Sequence, residues 1–233
     1  MKRNKLIAAI TNGVLVLVLA VVAAVCFVPQ SQSVSGKDDG VYRKGTSADG
    51  VSIMVNVYWG TEIVYKMLDV FDEYGAKATF FLGGCWADDN VACVKEIAGR
   101  GHEIGSHGYF HRDHAKLDYN ENAQEIARSV EFISLASGKT VTLFAPPSGE
   151  YNDETLRACK AMDLKTILWS KDTVDWRDKD EETCFTRATK DVTAGSLVLT
   201  HPMEHTLKAL PRILEHYRAA GLRAITVSEN LDE

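Results

Sequence analysis

Four short segments of the chain hold the residues whose types and spacing suit chemistry. In 'GHEIGSHGYFHRDH', residues 101–114, His107 and His111 stand four apart just after a strand-like run. On a helical turn that spacing puts two imidazoles on one face, close enough to share a divalent metal, although exposed histidines also fall so by chance. His102 and His114 read as solvent-facing. In 'LWSKDTVDW', residues 168–176, a strand ends in Asp172 and Asp175 among tryptophans. Such carboxylates can orient a histidine or bind a cation, and Trp176 can wall a sugar pocket; a helix-capping Asp beside a core Trp is the plainer reading. 'SLVLTHP' puts His201 where a buried strand meets a loop, a place for general acid or base work and equally for a hydrogen-bonded core-edge residue. 'LFAPPSGEYN', residues 143–152, reads as a rigid loop, stiffened by its prolines and turned by its glycine.

The elements around these segments alternate. Short β-branched runs ('VSIMVNV', 'KATFFL', 'HEIG', 'VTLFA', 'KTILW', 'GSLVLT', 'RAITV') are separated by amphipathic stretches. The clearest, 'TEIVYKMLDVFDEYG', places Ile63, Val64, Met67, Leu68, Phe71 and Tyr74 on one helical face before Gly75 stops it. Pro211 is expected to kink or shorten the last helix. Such alternation predicts an α/β fold with a parallel sheet, open or closed into a barrel, with active residues at the carboxyl ends of the strands.

In this order and spacing the segments resemble the NodB-type polysaccharide deacetylases, the family-four carbohydrate esterases, from about Val51 to the C-terminus. 'HEIGSHGYFH' looks like the family's H-S/T-x-x-H motif with Gly108 in place of Ser or Thr. 'APPSGEYN' looks like its R-x-P-Y region, 'DTVDW' matches D-x-x-D-W and 'LTH', with Leu199, fits L-x-H. The resemblance implies an irregular (β/α) barrel and hydrolysis of N-acetyl groups on chitin-like or peptidoglycan sugars. It also implies a divalent metal, commonly zinc, with cobalt, manganese or nickel as alternatives. His107 and His111 would be metal ligands, and His201, with Asp175 beside it, the acid that protonates the leaving amine. The backbone N–H of Ser148 would help hold the oxyanion.

The family's first motif, T-F-D-D-G, is where the chain departs. Aligned on Gly60 it reads Asn56, Val57, Tyr58 and Trp59, so both carboxylates are absent, and the family's bracing Arg falls at Ala145. An arginine left beside an absent base would be an unpaired buried charge costing several kcal/mol, so the losses are coherent. Three readings follow. Catalysis persists, with Asn56 as a weak oxygen ligand and Glu62 or Glu150 as base, although Glu62 also suits the first turn of a helix. Alternatively the chain is a noncatalytic glycan-binding relative using Trp59, Trp86 and Trp176 as platforms, unless these are core residues. Or it is a structural module, against which the retained His107, His111, Asp175 and His201 argue.

Composition bounds the rest. The 233 residues are 45% hydrophobic and 25% charged, with a net charge of −6, which suits one domain, expected to be a monomer, and excludes a nucleic-acid surface. Lys2, Arg3 and Lys5 precede an apolar run from Leu6 to Val28, long enough for a transmembrane helix with the remainder outside the cytoplasm. A cleaved signal and a secreted domain form the competing reading. The expected organisation is therefore an anchor or signal over 1–28, a flexible linker over 29–50 and the deacetylase-like domain over 51–233. Cys85, Cys93, Cys159 and Cys184 allow an 85–93 and 159–184 pairing, or four unpaired buried thiols.

Overall fold

The computed structural model describes residues 40–231. Its strands are β1 (Val41–Tyr42), β2 (Gly50–Val57), β3 (Thr79–Leu82), β4 (Glu103–Ser106), β5 (Leu143–Phe144), β6 (Lys165–Ile167), β7 (Lys171–Asp172), β8 (Leu197–Thr200) and β9 (Arg223–Ala224). β2 is buried at every position, as expected of a β-branched run covered on both faces. It pairs in parallel with β3 on one side and β8 on the other, and β9 adds to its start. The full path runs β1, β6, β5, β4, β3, β2, β8, β7.

The two ends of that path are tied by the chain itself. β6 and β7 lie far apart in strand order, yet only Leu168, Trp169 and Ser170 separate them. Leu168 N–H donates to Tyr42 O at 2.8 Å and Ser170 N–H to Leu197 O at 2.9 Å. The parallel sheet therefore curls on itself into an irregular half-barrel with helices packed outside, as the β-α alternation predicts.

Side-chain alternation along β2 divides the core. Val51, Ile53, Val55 and Val57 pack outward against helices, including Ile63, Val64, Met67, Leu68 and Phe71 of helix Thr61–Glu73. Met54 packs inward with Phe81, Leu143, Ala145, Ile167 and Leu197. Two residues beyond Met54, Asn56 has the same inward parity at the carboxyl end of the strand, which is how a polar residue comes to lie at the end of an apolar barrel interior.

Several expectations change. Part of the expected linker belongs to the domain: Val41–Tyr42 is a strand, Gly45 N–H donates to Gly195 O at 2.7 Å, Ser47 is buried and β2 begins at Gly50. The expected anchor over 1–28 lies outside the described residues, among which no helix is long and apolar enough to cross a membrane. His102 and His114 are buried rather than solvent-facing. His102 Nδ1 accepts from Ala78 N–H at 3.2 Å between Phe71 and Phe80, and His114 Nδ1 meets Asn122 Oδ1 at 2.6 Å beside Phe144. Helix Glu204–Ala219 runs on through Pro211. Cys85, Cys93, Cys159 and Cys184 are all unpaired thiols.

Candidate active site

At the carboxyl ends of the strands a cavity of about 300 Å³ is lined by Asn56, Trp59, His107, His111, Ser148, Trp169, Asp172, Trp176, Leu199 and His201. The topology explains the gathering. Asn56 and Trp59 follow from β2, His107 and His111 from β4, Ser148 from β5, and Leu199 and His201 from β8, all parallel.

His107 and His111 do meet, with ring centroids 5.4 Å apart, but not on a helix. They lie on the loop after β4, where Gly108 and His111 have φ of 74° and 56°. Glycine adopts that backbone without strain; histidine does so rarely. Tyr58 holds the turn. Its hydroxyl accepts from His111 N–H at 2.8 Å, and its proton is shared between Gly108 O at 3.0 Å and His107 O at 3.2 Å. Burial, partly opposed by the His111 N–H, raises the Tyr58 pKa, so the phenol stays neutral. Sequence reasoning saw Tyr58 only as a lost carboxylate; its tie to the loop has no local signature.

The His107 ring is oriented for ligation. Because a carbonyl oxygen only accepts, Nδ1–H donates to Ala145 O at 2.7 Å, leaving the lone pair on Nε2. Burial foremost pushes the His107 pKa down to about 3 and also lowers that of His111, so both rings suit a cation. Asn56 Oδ1 is buried without a hydrogen-bond partner. Among the described residues no group of three His, Cys, Asp or Glu is placed to hold a metal. The set instead consists of two neutral imidazoles and a carboxamide oxygen, which fits a divalent ion held by uncharged ligands, more weakly than with a carboxylate.

On the other wall, His201 is built into a network. Its Nδ1 donates to Asp175 Oδ1 at 2.7 Å and its backbone N–H to Asp175 Oδ2 at 2.8 Å, where Thr206 Oγ1 also donates at 2.6 Å. Burial alone would raise the pKa of Asp175, but the hydrogen bonds from His201 and Thr206 outweigh it and hold the carboxyl below its usual value. Nε2 is left as the ring atom available to a substrate. The Trp59 indole lies parallel to this imidazole.

The remaining candidates divide. Ser148 sits on the cavity wall at φ 56° in the turn Pro147–Gly149, and Leu199 and Trp176 also line the cavity. Glu62, on the opening turn of its helix, and Glu150 are exposed, and neither lines the cavity. First-turn carboxylates are stabilised by the helix N-terminus where they stand. Trp86 is a core residue whose Nε1–H donates to Thr61 Oγ1 at 3.1 Å. Trp169, three residues before Asp172 in the same segment, also lines the cavity, although only Trp176 of that segment was assigned a role from the sequence. Thr206 was missed as well, since only folding brings it to Asp175.

A curled parallel sheet with two imidazoles facing an Asp-held third defines a family-four carbohydrate esterase scaffold. Residues 43–167 match the polysaccharide deacetylase family model, and the chain belongs to that family. It is 32% identical over 172 residues to a peptidoglycan-N-acetylglucosamine deacetylase of Bacillus cereus, covering 71% of this chain and 80% of that one. It is 33% identical over 193 residues to the uncharacterised protein YlxY of Bacillus subtilis, covering 83% of this chain but only 60% of that protein. Among solved structures, a CE4 family pseudoenzyme from Bacillus anthracis superposes with a TM-score of 0.80 at 30% identity, covering 83% of this chain and 69% of that one. A mutant of that pseudoenzyme, described as having restored enzymatic activity, superposes with the same TM-score of 0.80 at 28% identity, covering 83% and 71%.

Proposed function

We propose that the chain is an extracytoplasmic, metal-dependent hydrolase that removes N-acetyl groups from a cell-wall or chitin-like polysaccharide, working slowly for want of a carboxylate base. The observation that carries this reading is the intact His201–Asp175–Thr206 network facing His107 and His111 across one cavity. The peptidoglycan deacetylases among its relatives supply the substrate class. The apolar run over 6–28 with its basic flank supports anchoring in the membrane, with the domain outside.

In this reading His107, His111 and Asn56 hold a divalent ion, for which imidazole nitrogens favour zinc. When bound, it supplies Lewis acidity toward the acetyl carbonyl and the attacking water. His201 Nε2 delivers a proton to the leaving nitrogen, and Asp175 fixes the ring that carries it. Leu199 and Trp176 wall the acetyl group, and the Ser148 N–H meets the developing oxyanion. Loss of a general base removes roughly 10² to 10⁴ in rate.

The test is acetate release from an acetylated chito-oligosaccharide by the full chain, with and without zinc, against His201→Ala. Release that zinc stimulates and the variant lacks supports the reading. Release no greater than that of the variant at high enzyme concentration sinks it. The Trp59 indole over His201 favours a second reading, a glycan-binding pseudoenzyme, in line with the Bacillus anthracis pseudoenzyme it resembles; its signature is glycan affinity without acetate release.

A further inference from the structure

Among the described residues two carboxylic side chains are buried, Asp175 and Glu125, 1% and 5% exposed. A buried charge without a partner is costly, so each calls for a positive group nearby. Asp175 has His201. Glu125 stands on helix Tyr119–Ser137, and its Oε1 accepts the Phe110 N–H at 2.5 Å. The same oxygen lies 3.8 Å from where a side-chain carbon on Gly108 would stand, so the carboxylate sits against the stretch of loop between His107 and His111. Among the described residues no lysine or arginine pairs with it. Arg128, one turn further along the helix, lays its guanidinium over the Tyr109 ring at 3.9 Å, and Arg112 binds Glu121 at 3.0 Å. The imidazole on this side, His114, is fully buried with Nε2 unpartnered; burial foremost lowers its pKa, against the raising influence of Glu125, and keeps the ring neutral.

From this arrangement we propose that Glu125 is a positioning residue for the metal, supplying from behind the histidine loop the negative charge that His107, His111 and Asn56 lack. The inference rests on the metal-site reading above. Two imidazoles and a carboxamide leave the charge of a divalent ion uncompensated. A carboxylate fixed nearby in the protein interior acts on that charge with little screening by water or salt. Glu125 touches backbone and no imidazole, so it works through the loop and through its field. Its grip is paired with that of Tyr58: the two side chains take the consecutive N–H groups of Phe110 and His111, which holds the left-handed turn at His111. With Asn56 where a charged ligand would stand, the ion and the buried carboxylate offset each other across the loop.

Zinc affinity of the full chain, measured at neutral pH by competition with a chromophoric chelator, decides the matter. Glu125→Gln keeps an oxygen for the Phe110 N–H and removes the charge. The expected result is at least tenfold weaker zinc binding, the lower end of the roughly 10- to 100-fold typical of groups that support metal ligands. The rise in melting temperature on adding zinc should shrink in step. Glu131→Gln, which removes an exposed charge from the same helix, should leave zinc affinity unchanged. Equal affinity in wild type and Glu125→Gln, or an equal loss in Glu131→Gln, overturns the inference while leaving the metal site standing. Failure of Glu125→Gln to fold marks the charge as structural and overturns it too. A wild-type chain that binds no zinc overturns the inference and the metal-site reading together. Acetate release, measured separately, bears on catalysis alone.

Discussion

The indole of Trp59 and the imidazole of His201 lie 5.9 Å apart between ring centroids and 6° from parallel. Trp59 Nε1–H points to Met203 Sδ at 3.3 Å, and the indole is 44% exposed. One face thus covers the acid while the remainder is offered to the cavity mouth.

Trp59→Ala should uncover His201 and remove a stacking surface without disturbing the fold. Aromatic stacking contributes about 0.5–1.5 kcal/mol beyond area burial, so oligosaccharide affinity should fall roughly threefold to tenfold, with little change in melting temperature. Unchanged affinity in calorimetric titration would show that Trp59 does not touch the glycan.

Tyr58→Phe should loosen the loop that carries His107 and His111. The hydroxyl serves three backbone groups there, a supporting role whose loss at metal sites typically costs 10- to 100-fold in affinity. Competition with a chromophoric chelator measures this directly; equal zinc retention by variant and wild type would remove Tyr58 from the site.

Replacing both aromatics, Tyr58→Asp with Trp59→Asp, should raise acetate release. The expected gain is up to the roughly 10² to 10⁴ that a general base contributes. It should depend on added zinc, because a carboxylate joins the donor set. A double variant that folds, binds zinc and releases acetate no faster would show that the deficit lies elsewhere.

Thr206→Val should act on the Asp175 network. A hydrogen bond to a charged group contributes about 2 kcal/mol, which for a domain of this size means a melting temperature roughly 4–8 °C lower. A loss below 1 °C in calorimetry would mean that the two His201 donors alone satisfy the buried carboxylate.

Stability should fall with acidification below pH 6.5. Burial, aided by nearby Lys77, depresses the His102 pKa from 6.5 to about 4 in the fold. The folded chain therefore binds fewer protons than the unfolded one between those values. The stabilisation is complete above 6.5 and lost as pH falls toward 4, by about 3 kcal/mol in all. His102→Gln keeps an acceptor for the Ala78 N–H and should reduce the slope of unfolding free energy against pH by about one proton. An identical slope in wild type and variant would refute the assignment.

Much of the architecture was legible before folding, because hydrophobic period is a local property. Strand β2 and the buried face of helix Thr61–Glu73 follow from runs of adjacent residues. His107, His111, Asp175 and His201 were legible through motif order. The helical turn expected for the His107–His111 pair was wrong in form and right in outcome: four-residue spacing brings the rings together through a left-handed turn as well as through a helix. The segment over 40–50 was misjudged because its polar, glycine-rich composition hides backbone pairing with distant residues.

By itself the sequence determined which groups the chain possesses: three candidate imidazoles, a paired carboxylate and aromatics where two acids would stand. Only the tertiary structure decided which of them share a space. Curling the parallel sheet brings residues from β2, β4, β5, β7 and β8 to one end, and this placed Trp169 and Asp172 in the cavity while leaving Glu62, Glu150 and Trp86 outside it. It also set Tyr58 beneath the histidine loop and Thr206 against Asp175. Contacts between segments far apart in the chain depend on strand order and register, which no local pattern of residues carries.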